Sequence, residues 1–106
     1  MQRIVSLIRL HPEKEAEYRE LHTAIWPGVL DALRRAHRGN YSIFRRDGLL
    51  FSYLEYGDDY DADTAALAQD ETTRAWWKLT DPCQQPLVSA APPEWWAPAE
   101  ELFHLG

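Results

Sequence analysis

Three side chains that could bind a small ligand and move protons recur at helical spacing near the start of the chain: Tyr18, His22 and Trp26. Side chains at i, i+4 and i+8 lie on one face of an α-helix. Histidine gives and takes a proton near neutral pH, as general acid–base catalysis requires. The stripe predicts a sugar-binding wall with His22 as the proton carrier. The alternative is an aromatic stripe that only packs in the core.

A pair of adjacent tryptophans, Trp76 and Trp77, precedes Lys78 in a segment with helical character. Neighbouring positions on a helix point about 100° apart, so we do not expect both rings in the core of so small a domain. Indoles offer flat apolar faces and one N–H donor each, which suit the C–H faces and hydroxyls of a sugar. The alternative is that one indole fills the core and the other lies in a dimer interface. Trp95 and Trp96 are flanked by prolines and are interpreted as packing or interface residues.

An acidic run, which includes Asp58, suggests a calcium site at first sight. Four aspartates have the spacing of EF-hand positions one, three, five and twelve: Asp59, Asp61, Asp63 and Asp70. Thr64 replaces the glycine that permits the turn of that loop, and the twelfth position is Asp rather than Glu. A solvated loop and helix N-terminus is therefore the favoured interpretation.

Other sites that would hold a metal or a reactive group have little support in the sequence. The four histidines lack the close pairings of zinc ligands: His11, His22, His37 and His104. No glycine-rich phosphate loop and no G-x-S-x-G motif is present. We therefore expect no metal and no cofactor.

The charge balance excludes some classes of partner. The chain of 106 residues has 11 basic and 17 acidic residues, a formal charge of −6. Without a basic stripe, nucleic acid and anionic membranes are poor partners, whereas a neutral small molecule is not penalised. Cys83 is the single cysteine, so no intrachain disulfide is possible. With no signal-peptide pattern and no membrane-spanning segment, we expect a cytoplasmic protein.

The elements that must position these side chains follow from apolar patterning and turn signals. Strands are predicted over 3–10, 41–46, 49–56 and 101–105, and helices over 12–26, 29–37 and 65–79. Pro27-Gly28 interrupts the first helical region, and Asp47-Gly48 is a hairpin signal. Residues 57–63 are predicted to form an acidic loop, Asp70 an N-cap within the last helix, and 82–93 a second loop.

The order β-α-β-β-α-β is that of a ferredoxin-like α+β sandwich, which we expect to span residues 1–106 as a single domain. The strands over 3–10 and 49–56 are apolar on both faces. The helices can cover one face of the sheet, so the other needs a partner. A second copy is the simplest one, and we therefore expect an isologous homodimer.

Taken together, these segments resemble the L-rhamnose mutarotase family. The matching stretches are Tyr18-x-x-x-His22-x-x-Ile25-Trp26-Pro27, Gly39-Asn40-Tyr41-Ser42-Ile43, Trp76-Trp77-Lys78 and Leu102-Phe103-His104-Leu105. The resemblance implies a dimeric α+β barrel, with His22 as the catalytic proton donor and Tyr18 as its partner. It also implies that Tyr18, Tyr41, Trp76 and Trp77 bind the sugar. Two departures are Gly28, where an acidic residue is common, and Thr23-Ala24, in place of a polar residue and proline.

The activity that the resemblance implies is exchange between the α and β anomers of L-rhamnose or a related 6-deoxy pyranose, without a cofactor. L-fucose and L-lyxose would suit the same chemistry. Two other functions stay open at this point. One is a heme-binding or monooxygenase-type protein on the same barrel, with His22 as an iron ligand. The other is a non-catalytic sugar-binding module.

Overall fold

The centre of the fold is an antiparallel sheet built around its first strand. The structure is a computed structural model, and it describes residues 2–57 and 59–106. Strand β1 (Gln2–Leu10) pairs along one edge with β3 (Leu49–Tyr56), and the other edge of β3 pairs with β2 (Gly39–Arg46). Strands β2 and β3 form the predicted hairpin.

Two short strands complete the sheet at the free edge of β1. Strand β4 (Gln84–Gln85) pairs with Arg9 and Leu10, and β5 (Ala97–Ala99) pairs with residues 5–7. The order β2-β3-β1-β4 places the first and third long strands side by side, with the hairpin on one edge and the late strands on the other. This topology confirms the predicted α+β, ferredoxin-like class.

In the described residues, four α-helices connect the strands, with short 3-10 helices at Pro12–Lys14 and Asp81–Cys83. The four α-helices are α1 (Glu15–Thr23) and α2 (Pro27–Arg35) between β1 and β2, and α3 (Tyr60–Gln69) and α4 (Glu71–Thr80) after β3. In the part of the chain that the structure describes, no helix is long and apolar enough to span a membrane.

Aspartate side chains set where the last two helices begin. The Asp59 carboxylate accepts a hydrogen bond from the amide of Ala62, and the Asp70 carboxylate accepts one from the amide of Thr73. Each carboxylate satisfies an amide that has no partner inside its helix. The predicted N-cap at Asp70 is therefore confirmed.

The core lies between the helices and one face of the sheet. Ile8 and Leu10 of β1 and Leu50 of β3 are almost fully buried, and they pack against Tyr18 of α1 and Cys83. Cys83 is a free thiol in this cluster, and burial raises its pKa to about 11. It is a packed core residue.

The opposite face of the sheet, which we call the outer face, is apolar as well. The register places Val5 beside Tyr53 and Leu7 beside Phe51, and Phe44 of β2 lies beside Phe51 on the same face. Phe44 is 59 % exposed, and the other four are half-buried. In the folded chain, β1 and β3 therefore have apolar side chains on both faces of the sheet, as predicted.

The turn at residues 47 and 48 explains the hairpin. Asp47 and Gly48 have φ values of 53° and 73°, the left-handed conformation that a two-residue hairpin turn needs at both positions. Glycine adopts it without steric cost and aspartate tolerates it better than most residues. The hairpin prediction is confirmed.

The predicted strand over 101–105 is wrong. Residues 100–106 have no regular secondary structure, and their side chains are exposed. Strand β5, which ends two residues before the predicted strand, occupies this edge of β1 instead: Ala97 pairs with Leu7 and Ala99 with Val5. The predicted loop over 82–93 likewise includes the short strand β4.

Several helix boundaries also differ from the prediction, among them the start of α3 and the end of α1. Helix α3 begins at Tyr60 instead of Ala65, so most of the predicted acidic loop is the first turn of a helix capped by Asp59. Asp58 lies outside the described residues. Helix α1 ends at Thr23 instead of Trp26, because the residue before Pro27 is forced into an extended conformation.

The core assignment predicts a large stability difference between two substitutions. Ile8 is fully buried, so Ile8→Ala should lower the free energy of unfolding by about 2–5 kcal/mol. Val88 is 90 % exposed, so Val88→Ala should change it by less than about 0.5 kcal/mol. Urea unfolding at one fixed protein concentration measures both, and equal effects would contradict the assignment.

Candidate functional site

The central feature of the site is a histidine fixed by its own helix. His22 and Tyr18 lie one turn apart on α1, and their rings stack at a centroid distance of 4.3 Å. The Nδ1 atom of His22 lies 2.8 Å from the backbone oxygen of Tyr18. A carbonyl oxygen only accepts hydrogen bonds, so Nδ1 must be the nitrogen that carries a proton. Nε2 is then the atom that can give or take a proton at a ligand.

A tryptophan ring of another helix, α4, packs against the imidazole. Trp76 of α4 packs edge-on against His22, with ring centroids 5.6 Å apart, and against Trp26 at 5.2 Å. Trp76 is 6 % exposed. Trp26 lies beyond the end of α1, yet it joins the same cluster through Trp76. The structure therefore brings the predicted aromatic stripe together, with a residue of another helix at its centre.

A cleft of about 330 Å³ opens beside His22. Its lining residues are Leu10, Tyr18, Arg19, His22, Ile43, Phe44, Arg45 and Leu50. Small-molecule sites have volumes from about 300 Å³ upward, so the cleft suits a ligand of monosaccharide size. The apolar floor and polar rim match a ring with apolar C–H faces and hydroxyl edges.

Two arginines form the charged rim of the cleft. Arg45 of β2 donates a hydrogen bond of 2.8 Å to Glu15, and Arg19 lies 3.6 Å from the other oxygen of the same carboxylate. The ion pairs hold the guanidinium groups in place while leaving N–H donors for other acceptors. These donors could bind sugar hydroxyls.

The phenol of Tyr18 belongs to a buried side chain that lines the cleft. Tyr18 is 5 % exposed, and burial raises the pKa of its hydroxyl to about 12. A hydrogen bond of 3.3 Å from the amide of Gln84 opposes that shift. The phenol is therefore neutral at physiological pH and acts as a hydrogen-bond donor there, not as a base.

Two other predicted site residues, Tyr41 and Trp77, lie outside the cleft beside His22 and are partly exposed. Tyr41 lies within the irregular stretch of β2 between Gly39 and Ser42. Bulges of this kind redirect side chains. The residue is 38 % exposed, yet burial of its hydroxyl end raises the pKa of the phenol. Trp77 is 38 % exposed beside buried Trp76. Three of the residues predicted to bind the sugar are absent from the lining of this cleft: Tyr41, Trp76 and Trp77.

Sequence reasoning missed four polar or aromatic residues of the site: Arg19, Arg45, Gln84 and Trp95. Arg19 follows Tyr18 directly, so its position beside the stripe could have been recognised. Gln84 donates to Tyr18 and accepts a 2.8 Å hydrogen bond from the indole N–H of Trp95. No local pattern indicates this pairing, because β4 is two residues long. Trp96 packs against the core, as predicted.

The glycine that departs from the family pattern has a packing role. A Cβ atom at Gly28 would lie 2.9 Å from Cγ2 of Thr72. Helices α2 and α4 therefore approach closely here, and a larger side chain at position 28 would displace the side chain of Thr72. Glycine at position 28 fits this contact between the two helices, whereas an acidic side chain there would meet Thr72.

Two of the four aspartates with EF-hand spacing serve as helix caps. Asp59 and Asp70 use their carboxylates on backbone amides, and Asp61 and Asp63 lie within α3. Within residues 2–57 and 59–106, no group of three or more His, Cys, Asp or Glu side chains is arranged to hold a metal ion.

The raised pKa of Tyr18 predicts a change of stability at alkaline pH. An unfolded tyrosine ionises near pH 10, whereas the folded one resists ionisation until about pH 12. The stabilising effect of keeping the phenol neutral is complete below pH 10 and is lost as pH rises toward 12. Over this interval it amounts to about 2–3 kcal/mol.

Unfolding of the wild type and Tyr18→Phe in urea across this pH range tests the prediction. The wild type should lose more stability than the variant as pH rises, since phenylalanine does not ionise. Parallel loss in both proteins would contradict the buried, neutral phenol.

Comparison with known proteins places this site in a family. The sequence model of the L-rhamnose mutarotase family matches residues 3–105. An L-rhamnose mutarotase of Burkholderia orbicola (strain MC0-3) is 37 % identical, and one of Listeria monocytogenes serotype 4b (strain F2365) is 33 % identical. Each alignment covers 99 % of both proteins.

Two solved structures share the fold. A crystal structure of an L-rhamnose mutarotase from Formosa agariphila aligns over the full length of both chains, with a TM-score of 0.78 and 24 % identity. Tetracenomycin F2 cyclase from Streptomyces glaucescens aligns with a TM-score of 0.73 and 13 % identity, over 100 % of this chain and 98 % of its own. The fold thus carries more than one chemistry. The match of sequence over residues 3–105 decides between them: the chain belongs to the L-rhamnose mutarotase family.

Proposed function

We propose that this protein interconverts the α and β anomers of L-rhamnose, with His22 as the proton-transferring group. The proposal rests on one observation above all. The Nδ1 atom of His22 is held by the backbone oxygen of Tyr18, and the imidazole lines a cleft of monosaccharide size. Family membership supports the substrate, and the cleft supports the type of chemistry.

Mutarotation needs two proton transfers. The ring oxygen gains a proton while its bond to C1 breaks, and the hydroxyl on C1 loses a proton as the aldehyde forms. Rotation about the C1–C2 bond exposes the other face of the aldehyde, and the reverse steps close the ring. One proton enters from a general acid and one leaves to a general base, and both are returned when the ring closes, so the reaction is balanced by general acid–base catalysis.

The side chains around the cleft have distinct tasks in this scheme. When the imidazole is protonated, Nε2–H of His22 donates to the ring oxygen, and it recovers the proton on ring closure. Neutral Tyr18 donates a hydrogen bond to a sugar oxygen. Trp76 holds the imidazole in place, while Trp77 and Tyr41 bind the sugar, as the family resemblance implies. The methyl group of a 6-deoxy sugar suits an indole face.

We assign the binding of the sugar hydroxyl groups to the two arginines at the rim of the cleft. Arg19 and Arg45 have N–H donors beyond those used by Glu15, and a sugar in the cleft presents hydroxyl oxygens to that side. The formal charge of the whole chain, −6, does not hinder this interaction because the sugar is neutral.

The two alternatives make different predictions for the same protein. A heme-binding protein would show a visible absorption change on adding heme. A sugar-binding module would bind L-rhamnose without exchanging its anomers. The family match favours neither alternative.

Replacement of the histidine tests the proposal. His22→Asn should lower the enzyme-catalysed exchange between the two anomeric protons of L-rhamnose by about 10²–10⁴-fold, since a positioned proton carrier contributes that much. Exchange NMR at anomeric equilibrium measures it. His37→Asn is the matched control: His37 pairs with Asp63 away from the cleft, and asparagine tolerates its φ of 58°.

Wild-type exchange by His22→Asn would overturn the assignment of His22. No exchange by the folded wild-type protein would overturn the proposed function itself.

We further propose that the protein is a homodimer. Val5, Leu7, Phe51 and Tyr53 form an apolar outer face that the helices of the same chain do not cover. The same face of a second copy would bury these residues, as two-fold symmetry permits. A cytoplasmic location, without nucleic-acid or membrane partners, is part of the same proposal, supported by the single cysteine and the acidic charge balance.

Light scattering coupled to size-exclusion chromatography tests the dimer. The wild type should have twice the mass of one chain, and Phe51→Asp should shift it toward one chain, because a carboxylate would be buried unpaired. Val88→Asp, in an exposed loop, should leave the mass unchanged. A monomeric wild type would contradict the proposal.

A further inference from the structure

The buried amide of Gln84 lies between two aromatic side chains. Gln84 is 5 % exposed, and its register opposite Leu10 places its side chain on the helix-covered face of the sheet. Its amide contacts the hydroxyl of Tyr18 at 3.3 Å and the indole nitrogen of Trp95 at 2.8 Å. A polar side chain buried this deeply is costly unless its partners are placed for it.

The chemistry of the two partners fixes the orientation of the amide. An indole N–H is a donor only, so it must face the amide oxygen of Gln84. The amide nitrogen is then turned toward Tyr18 and donates, and the phenolic oxygen accepts. Within residues 2–57 and 59–106, Gln84 is the hydrogen-bond partner of this hydroxyl.

The direction of this bond leaves the phenolic proton for another acceptor. If the amide oxygen faced Tyr18, the hydroxyl would donate to Gln84 and could not donate to a ligand at the same time. Because the amide nitrogen faces it, the O–H can be directed at a ligand in the cleft, which Tyr18 lines together with His22.

We propose that Gln84, oriented by Trp95, is a positioning residue for mutarotation, because its amide nitrogen donates to the phenolic oxygen of Tyr18 and so directs the phenolic O–H away from Gln84 and toward the sugar. The inference rests on the proposed function, and it adds two residues that act through Tyr18 without touching the substrate.

A double-mutant cycle tests the coupling between Gln84 and Tyr18. The exchange rate constant and KM for L-rhamnose are measured for the wild type, Gln84→Leu, Tyr18→Phe and the double variant. Gln84→Leu should lower kcat by about 3–10-fold with little change in KM, the range of one hydrogen bond, because the phenolic O–H loses the donor that directs it toward the sugar. In the Tyr18→Phe background the same change should alter kcat by less than about 2-fold, since the hydroxyl on which it acts is gone.

Two further variants separate this role from a structural one. Gln85→Leu makes the same chemical change at the neighbouring, exposed position and should leave kcat within about 2-fold of the wild type. Trp95→Phe removes the indole N–H from a residue that is 39 % exposed, so it should fold. Without that donor the amide can turn over, and kcat should fall in the same direction as in Gln84→Leu.

Absorbance titration of the tyrosines supplies a second readout. Loss of the amide donor should make the Tyr18 phenol ionise later in Gln84→Leu than in the wild type, whereas general loosening of the core would admit water and make it ionise earlier. Equal losses of kcat in both backgrounds of the cycle, or earlier ionisation, would overturn the inference. A wild type without anomer exchange would instead overturn the proposed function.

Discussion

One hydrogen bond inside α1 determines what the site can do: the contact of 2.8 Å between Nδ1 of His22 and the backbone oxygen of Tyr18. It fixes both the plane of the imidazole and the nitrogen that carries the proton in the neutral ring. Nε2 is thereby left for the ligand. The bond requires a helix that is intact over this turn, so the chemistry depends on whatever holds α1 against the sheet.

The packing around α1 meets that requirement through aromatic contacts on two sides. Tyr18 extends from the helix into the core cluster with Ile8, Leu10 and Leu50, and it anchors α1 to β1 and β3. On the other side, Trp76 of α4 contacts the His22 ring at its edge. A single aromatic residue, Tyr18, thus joins the core, the cleft and the histidine. The interpretation of the stripe as core is confirmed for this residue, and the same side chain also lines the cleft.

Much of the fold could be predicted because local rules decided it. The Asp47-Gly48 turn, the Asp70 cap and the two-faced strands each follow from residue chemistry within a few positions. The end of the chain could not be predicted in this way. The segment 101–105 has an apolar pattern, but Ala97–Ala99 already occupies the edge of β1, and competition for one strand edge is a tertiary effect.

The site was predictable in part for the same reason. Helical spacing predicted that Tyr18 and His22 lie together, and the structure adds Trp76 to their cluster. The bond from Gln84 to Tyr18 joins residues 66 positions apart. Its partner Trp95 reaches the same amide from a loop, so no periodicity reveals either contact. Polar groups of this kind are found by asking where each buried donor and acceptor is satisfied in the folded chain.

The measurement that tests the central claim most directly is the tautomer of neutral His22. Long-range proton–nitrogen correlation NMR on protein labelled with ¹⁵N at histidine identifies the protonated ring nitrogen, and a spectrum of His22→Asn assigns the signal. The account predicts that the neutral ring carries its proton on Nδ1 and that Nε2 is unprotonated. A neutral ring protonated on Nε2 would contradict it, since Nδ1 could then not donate to the Tyr18 carbonyl and Nε2 could not accept a proton from the sugar.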